Sequence, residues 1–282
     1  MDSNDNLYAL DVAGCVVRKL VKNATTPIIV AGVYYSGGTG SNQLYFPQDA
    51  YVDKKGNLYI SDNNNNRIQK YINGSLIGIT IAGITGSTGG SALNQLYSPE
   101  NFVFDDTETY MYIADNNNHR IMRFLTNSTT GMNGVNVAGG SQGITNSTLK
   151  DPWGIDYKPS LSSDMFIVNA GSHTVIRWTP GASSGVFVAG TPGFSGSSST
   201  TLSSPVGLKL DNYLNVYVAD SNNNRIQMFC ANNKTGITIA GTGTSGSGVT
   251  QLNQPYGLTF DSDMNLYVAD YSNQRVQKFM KL

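Results

Sequence analysis

Short apolar runs with large hydrophobic residues at alternate positions recur along the chain, separated by stretches rich in Asn, Gly, Ser and Thr. Period-two alternation bounded by such residues predicts strands joined by turns. One run is written six times: hydrophobic-Tyr-hydrophobic-Ala-Asp, a polar Asn-rich turn, then Arg-Ile-x-Lys-aromatic. The copies span Leu7–Leu20, Leu58–Tyr71, Met111–Phe124, Met165–Trp178, Val216–Phe229 and Leu266–Phe279. Their anchors are Asp11, Asp62, Asp115, Asn169, Asp220 and Asp270, at steps of 51, 53, 54, 51 and 50 residues. A fixed period of this size marks a repeat architecture, and a closed array of such repeats counts as one domain, here residues 1–282.

Each unit carries four strand signals. The first follows Leu-x-x-Pro, at Leu44/Pro47, Leu96/Pro99, Leu149/Pro152, Leu202/Pro205 and Leu252/Pro255; Pro is tolerated at a strand's first residue, where its missing N–H lies outside the ladder. The second is the Asn-Leu-Tyr-Val-Ala-Asp run, whose aromatic and β-branched residues favour a pleated surface buried on both faces. The third is Arg-Ile-Gln-x-Phe, and the fourth ends in Ala-Gly, as at Ala31-Gly32, Ala82-Gly83 and Ala240-Gly241. Asn73-Gly74 between the third and fourth signals reads as a hairpin turn. Four short antiparallel strands per unit of this length make a propeller blade, and an isolated blade cannot bury both faces. The expected fold is all-β: a six-bladed β-propeller of four-stranded antiparallel blades, its first and last blades incomplete. The chain starts at the second strand of unit one and stops after the third strand of unit six. With 12 residues after Asp270 and 10 before Asp11, about 28 of a 50-residue step are missing. The favoured reading is an excerpt of a longer chain, over a natively open blade or strands supplied by a partner through edge addition.

On these residues the chain resembles the NHL-repeat family, whose consensus runs close to Pro-x-Gly-(strand)-Asp-x-x-Gly-Asn-(strand)-Ala-Asp-x-x-Asn-His-Arg-Ile-Gln-x-Phe. Val216–Phe229 and Leu266–Phe279 match its second half almost position for position, and the resemblance covers essentially the whole chain. It implies a generic platform for protein, RNA or glycan, with enzymes a minority. It also implies a runner-up, the substrate-recognition domain of a multidomain RING-type ubiquitin ligase. Fold likeness alone does not assign function.

The Asp-x4-Arg pairs Asp62/Arg67, Asp115/Arg120, Asp220/Arg225 and Asp270/Arg275 join the end of one strand to the start of the next. Recurrence in four of six units marks them as scaffold, because a catalytic site needs an asymmetric constellation. Units one and four place Val16 and Thr174 at the Arg position, and unit four also replaces Asp by Asn169, so their corners should be bonded differently. His119 and His173, the only histidines, occupy one position in adjacent units. Without further ligands they do not make a zinc site, which needs three or four converging donors. The zinc-dependent amidating lyases that resemble NHL propellers use several His, so that activity looks excluded. No nucleophile elbow or Ser/His/Asp set is present, and the Gly-rich stretches lack Gly-Lys-Ser/Thr. No metal or cofactor is expected. Glu100 and Asn101 are the residues to name for a hydrolase or lyase with channel-lining carboxylates, a third reading that predicts loss of activity on Glu100→Gln.

The residue after each Pro is more informative. Gln48, Glu100, Trp153, Val206 and Tyr256 begin the innermost strands and differ strongly while the frame around them is constant. Variation on a fixed scaffold is how binding surfaces are made. With His119, Arg120 and His173 they form the candidate binding set.

Net charge is −1 and 13% of residues are charged, which excludes the basic footprint of a nucleic-acid reader. The neutral Asn tracts Asn63–Asn66, Asn116–Asn118 and Asn222–Asn224 suit a glycan or a polar protein surface. A non-enzymatic platform for a protein or glycan is therefore the leading expectation. No apolar run approaches a membrane span, and Met-Asp-Ser-Asn-Asp does not read as a signal peptide. The low-charge polar surface favours an extracellular over a cytoplasmic setting. Cys15 and Cys230 fall in different repeats and read as free thiols. Five Asn-x-Ser/Thr sequons occur, at Asn23, Asn73, Asn127, Asn146 and Asn233. With 30 Asn and 52 Ser plus Thr in 282 residues, about 5.5 are expected by chance.

Overall fold

The computed structural model describes residues 1–86 and 88–281. The protein is an all-β, six-bladed propeller, and its contacts divide it into two compact units. The first comprises Met1–Asn118 and Met122–Asn136, the second His119–Ile121 and Val137–Leu282.

In the first unit, β1 (Leu7–Asp11), β2 (Val16–Leu20) and β3 (Ile28–Gly32) form a three-stranded sheet. β4 (Pro47–Val52), β5 (Leu58–Asp62), β6 (Arg67–Tyr71) and β7 (Gly78–Gly83) form a four-stranded one. The third sheet, β8 (Pro99–Phe104), β9 (Tyr110–Asp115), β10 (Arg120–Leu125) and β11 (Val135–Gly139), straddles the division. The second unit holds β12 (Pro152–Tyr157), β13 (Met165–Asn169), β14 (Thr174–Trp178) and β15 (Val186–Gly190), then β16 (Pro205–Leu210), β17 (Val216–Asp220), β18 (Arg225–Phe229) and β19 (Gly236–Ala240). Its last sheet has three strands, β20 (Pro255–Phe260), β21 (Leu266–Asp270) and β22 (Arg275–Phe279). Strand order follows chain order in every sheet, as a meander of hairpins requires, and the first and last sheets are the short ones.

Within each unit the core lies between successive sheets. Val17, Ala31, Leu44, Leu58, Ile60 and Tyr71 form one cluster of the first unit; Tyr59, Ile68, Leu96, Phe102, Phe104 and Met111 belong to another. In the second unit Val168, Val175, Leu202, Leu208 and Val218 form one cluster, and Ala219, Ile226, Leu252, Leu258 and Val268 the next. The Leu of every Leu-x-x-Pro is at most 1% exposed, so that motif drives an inter-blade loop into the gap between sheets.

Two local features set up the site. First, the ladder between a blade's first two strands slips just after its Pro. Pro152 pairs with Asn169 but the next pair is Ile155 with Ile167, and the same slip follows Pro99, Pro205 and Pro255. Such a bulge takes the residue after Pro out of the ladder and re-aims its side chain. Second, the Gly in Pro-x-Gly lets innermost strands of the second unit close on each other. A Cβ on Gly207 would lie 2.1 Å from the Tyr256 carbonyl, and one on Gly154 2.4 Å from that of Val206. The first unit has Asp49 and Asn101 there instead, and the Asp49 carboxylate accepts the Phe102 N–H at 3.0 Å.

Candidate functional site

The blade corners are built from the anchor carboxylate outward. Asp62 Oδ1 accepts the Tyr45 N–H at 2.7 Å, while Oδ2 accepts from Asn65 Nδ2 at 2.8 Å and Arg67 Nε at 2.7 Å. Arg67 donates onward to the carbonyls of Thr39, Gly40 and Gln43, in the loop that leads into its own blade. Asp220 with Arg225 and Asp270 with Arg275 repeat the arrangement, and Asp115 accepts from the Tyr97 N–H and Asn118. The arginines thus pin inter-blade loops. Asn65, Asn118, Asn223 and Asn273 each bridge the anchor carboxylate and a loop carbonyl, so much of the Asn tract is scaffold.

The two odd corners are bonded differently, as expected. In the first blade Arg18, two residues beyond Val16, reaches Asp11 at 3.1 Å, both side chains about 30% exposed. In the fourth, Thr174 pairs with Ser172 at 2.6 Å and Asn169 takes the Lys150 N–H at 2.5 Å. Loss of the arginine and neutralisation of the anchor go together because a fully buried carboxylate needs its cation. Asn169→Asp should therefore cost about 3 kcal/mol, read as a lowered urea midpoint. Adding Thr174→Arg should recover part of it; equal stability of Asn169→Asp and wild type would refute this account.

His119 and His173 turn out to be blade pins. Each ends its corner in left-handed backbone, at φ 54° and 60°, and accepts through Nδ1 the N–H of the residue before the next blade's Pro. His119 takes Asp151 N–H at 3.2 Å, and His173 takes Ser204 N–H at 3.1 Å. Asn66 and Asn224 do the same for Ser98 and Gln254. Burial and the Lys150 cation hold the His173 imidazole below its usual range, keeping Nδ1 free to accept. Arg120, also in the candidate set, is 6% exposed.

The post-Pro residues divide by unit. In the first, Gln48 is half-buried and Glu100 is 5% exposed. Glu100 Oε1 accepts from Asn63 Nδ2 at 2.9 Å, and Oε2 is buried without a partner among the described residues. Burial pushes this carboxyl up to about 8; the Asp49 carboxylate adds to the rise and the Asn63 bond opposes it. Glu100 is a neutral acid at pH 7. In the second unit Val206 is buried, while Trp153 and Tyr256 are half-buried, edge to face with ring centroids 5.8 Å apart. Tyr256 stacks in turn on Tyr271 at 4.4 Å, and Tyr271 is 47% exposed. Tyr271 was missed in the sequence, and Asn63 entered only as part of the Asn63–Asn66 tract. Both follow their anchor directly, and the signal was there: that position reads Asn63, Asn116, Ala170, Ser221 and Tyr271, as variable as the post-Pro position it meets.

The NHL repeat pattern matches residues 44–71, 202–229 and 252–279. No curated protein sequence matches the chain. Among solved structures it is similar to a gluconolactonase from Xanthomonas campestris, 14% identical over 94% of this chain and 79% of that one, TM-score 0.64. An auxiliary nutrient binding protein from Bacteroides ovatus is 15% identical over 98% of this chain and 66% of its own, TM-score 0.69. A virginiamycin B lyase from Staphylococcus aureus is 12% identical over 99% and 86%, TM-score 0.60. At these identities the likeness shows the fold alone, and it spans binders and enzymes.

Proposed function

Since the chain is an NHL-repeat β-propeller, we propose that it is a binding platform whose ligand, a glycan or a protein segment, is engaged at the innermost-strand starts of the second unit. The observation that carries this reading is the Trp153–Tyr256–Tyr271 cluster. Two of the three rings, Trp153 and Tyr256, sit on bulged, Pro-anchored strand starts, and the third, Tyr271, sits on the corner turn after Asp270 and is half exposed. Rings fixed in this way present large apolar faces at low entropic cost. The chain's low charge and many neutral amides suit a sugar, which offers apolar ring faces and hydroxyls together. One similar structure is named as an auxiliary nutrient binding protein, a binder rather than an enzyme. Glu100 supplies the hydrolase or lyase reading with a protonated acid, but the carboxyl is buried and tied to Asn63.

The test is a glycan array probed with the purified chain, followed by titration of hits against Trp153→Ala and Tyr271→Ala. Each variant should weaken binding at least about tenfold, a loss of roughly 1.4 kcal/mol. Hits bound equally well by both variants would refute the site, and turnover of any hit, abolished by Glu100→Gln, would favour the enzyme.

A further inference from the structure

The hairpin turn between a blade's third and fourth strands carries a second pattern, independent of the ligand site. These turns span residues 21–27, 72–77, 126–134, 179–185 and 230–235. They hold six of the chain's 30 asparagines but four of its five sequons: Asn23-Ala-Thr, Asn73-Gly-Ser, Asn127-Ser-Thr and Asn233-Lys-Thr. The other 24 asparagines carry one sequon, Asn146-Ser-Thr, where the Ser and Thr content predicts about four. The total is a chance number; its placement is not.

The four turn asparagines are all exposed. Among the described residues none of their side chains makes a hydrogen bond except that of Asn233, whose Oδ1 accepts the Thr235 N–H at 2.9 Å. At Asn146 the Thr148 hydroxyl of the sequon accepts the Thr145 N–H at 3.0 Å, and at Asn73 the Ser75 hydroxyl likewise accepts the Ile77 N–H at 3.0 Å, so it is placement in the turns that sets the four apart. Each turn also leads into the fourth strand, an outer sheet edge that shows aliphatic side chains to solvent. Ile28 in β3 is 56% exposed, Ile79 in β7 51%, Val135 in β11 49% and Ile237 in β19 55%. An exposed apolar edge strand invites pairing with other chains unless something covers it. Beside Asn127 lies a hollow of about 400 Å³ lined by Tyr110, Arg123 and Met132, with room for the first sugars.

We propose that Asn23, Asn73, Asn127 and Asn233 are N-glycosylation sites, and that their glycans shield the outer strands β3, β7, β11 and β19. In the reaction Asn Nδ2 bonds to C1 of a lipid-pyrophosphate-linked oligosaccharide. The C1–oxygen bond breaks, the lipid pyrophosphate leaves with the electron pair, and the amide gives up one proton. The product is a bulky, soluble cover at a surface turn.

The experiment uses the protein isolated from its own cells. Peptide N-glycosidase acting in heavy-oxygen water converts each glycosylated Asn to labelled Asp, located by peptide mass. Label on at least three of the four turn asparagines is expected. Fewer than three, or label on Asn146 with none in the turns, overturns the proposal. As a second readout, removing the acceptors by Thr25→Ala, Ser75→Ala, Thr129→Ala and Thr235→Ala leaves every Asn in place. The secreted quadruple variant should lose the glycan mass and self-associate at concentrations where the glycosylated protein is monomeric. Equal monodispersity would sink the shielding role.

Discussion

Glu100→Gln should make the protein more stable than wild type at pH 8 to 9, and the two should converge towards pH 4. In the folded chain the Glu100 carboxyl titrates near 8, against an ordinary value of 4.5. Between those values the folded state keeps a proton that the unfolded state releases. A group raised in this way contributes stability that is present below the unfolded pKa and is lost as pH rises through the folded one. The loss across the window is on the order of 5 kcal/mol, at about 1.4 kcal/mol per unit. Glutamine keeps the size and the acceptor for Asn63 Nδ2 and does not titrate. Urea unfolding of both proteins at a series of pH values reads the difference directly. Parallel stability curves from pH 5 to pH 8 would show that Glu100 is ionised in the fold, and the neutral-acid description would fall.

Arg67→Met should cost about 3–5 kcal/mol, the usual penalty for leaving a buried charge without its partner. Asp62 is fully buried, and Arg67 is 1% exposed, so neither water nor another cation replaces the guanidinium. The carbonyls of Thr39, Gly40 and Gln43 lose donors in the same step. The equivalent change at Arg275, 33% exposed, should cost only about 1–2 kcal/mol because water reaches the vacated carbonyls. Arg225, at 9%, should fall between. Denaturant midpoints of the three single variants rank them; equal losses would mean that burial does not set the worth of this pair. A matched Asp62→Asn change on the Arg67→Met background should restore part of the loss, as the fourth blade does with Asn169 and Thr174.

The strands and their order were legible because they follow from local rules. Alternation of period two, Pro before a strand and Ala-Gly at its end recur in register, and each copy repeats the same sentence to the same sheet position. The scaffold role of the Asp–Arg pairs was legible for a related reason, since both partners belong to one turn. The histidines were not. His119 and His173 stand in the candidate binding set, yet their partners Asp151 and Ser204 lie more than 30 residues away in the following blade. Asn63 and Glu100, 37 residues apart, met only in the fold.

By itself, then, the sequence determined the repeat, the four strands of a blade and the scaffold at the corners. Each is a property of residues within one copy. The tertiary structure decided which variable side chains became neighbours. It made Glu100 a buried neutral acid and gathered Trp153, Tyr256 and Tyr271 into one aromatic stack. It also put four sequons on the turns beside apolar outer strands. These outcomes depend on desolvation and on contacts between copies, and a side chain's environment there is set by what the neighbouring blade brings against it.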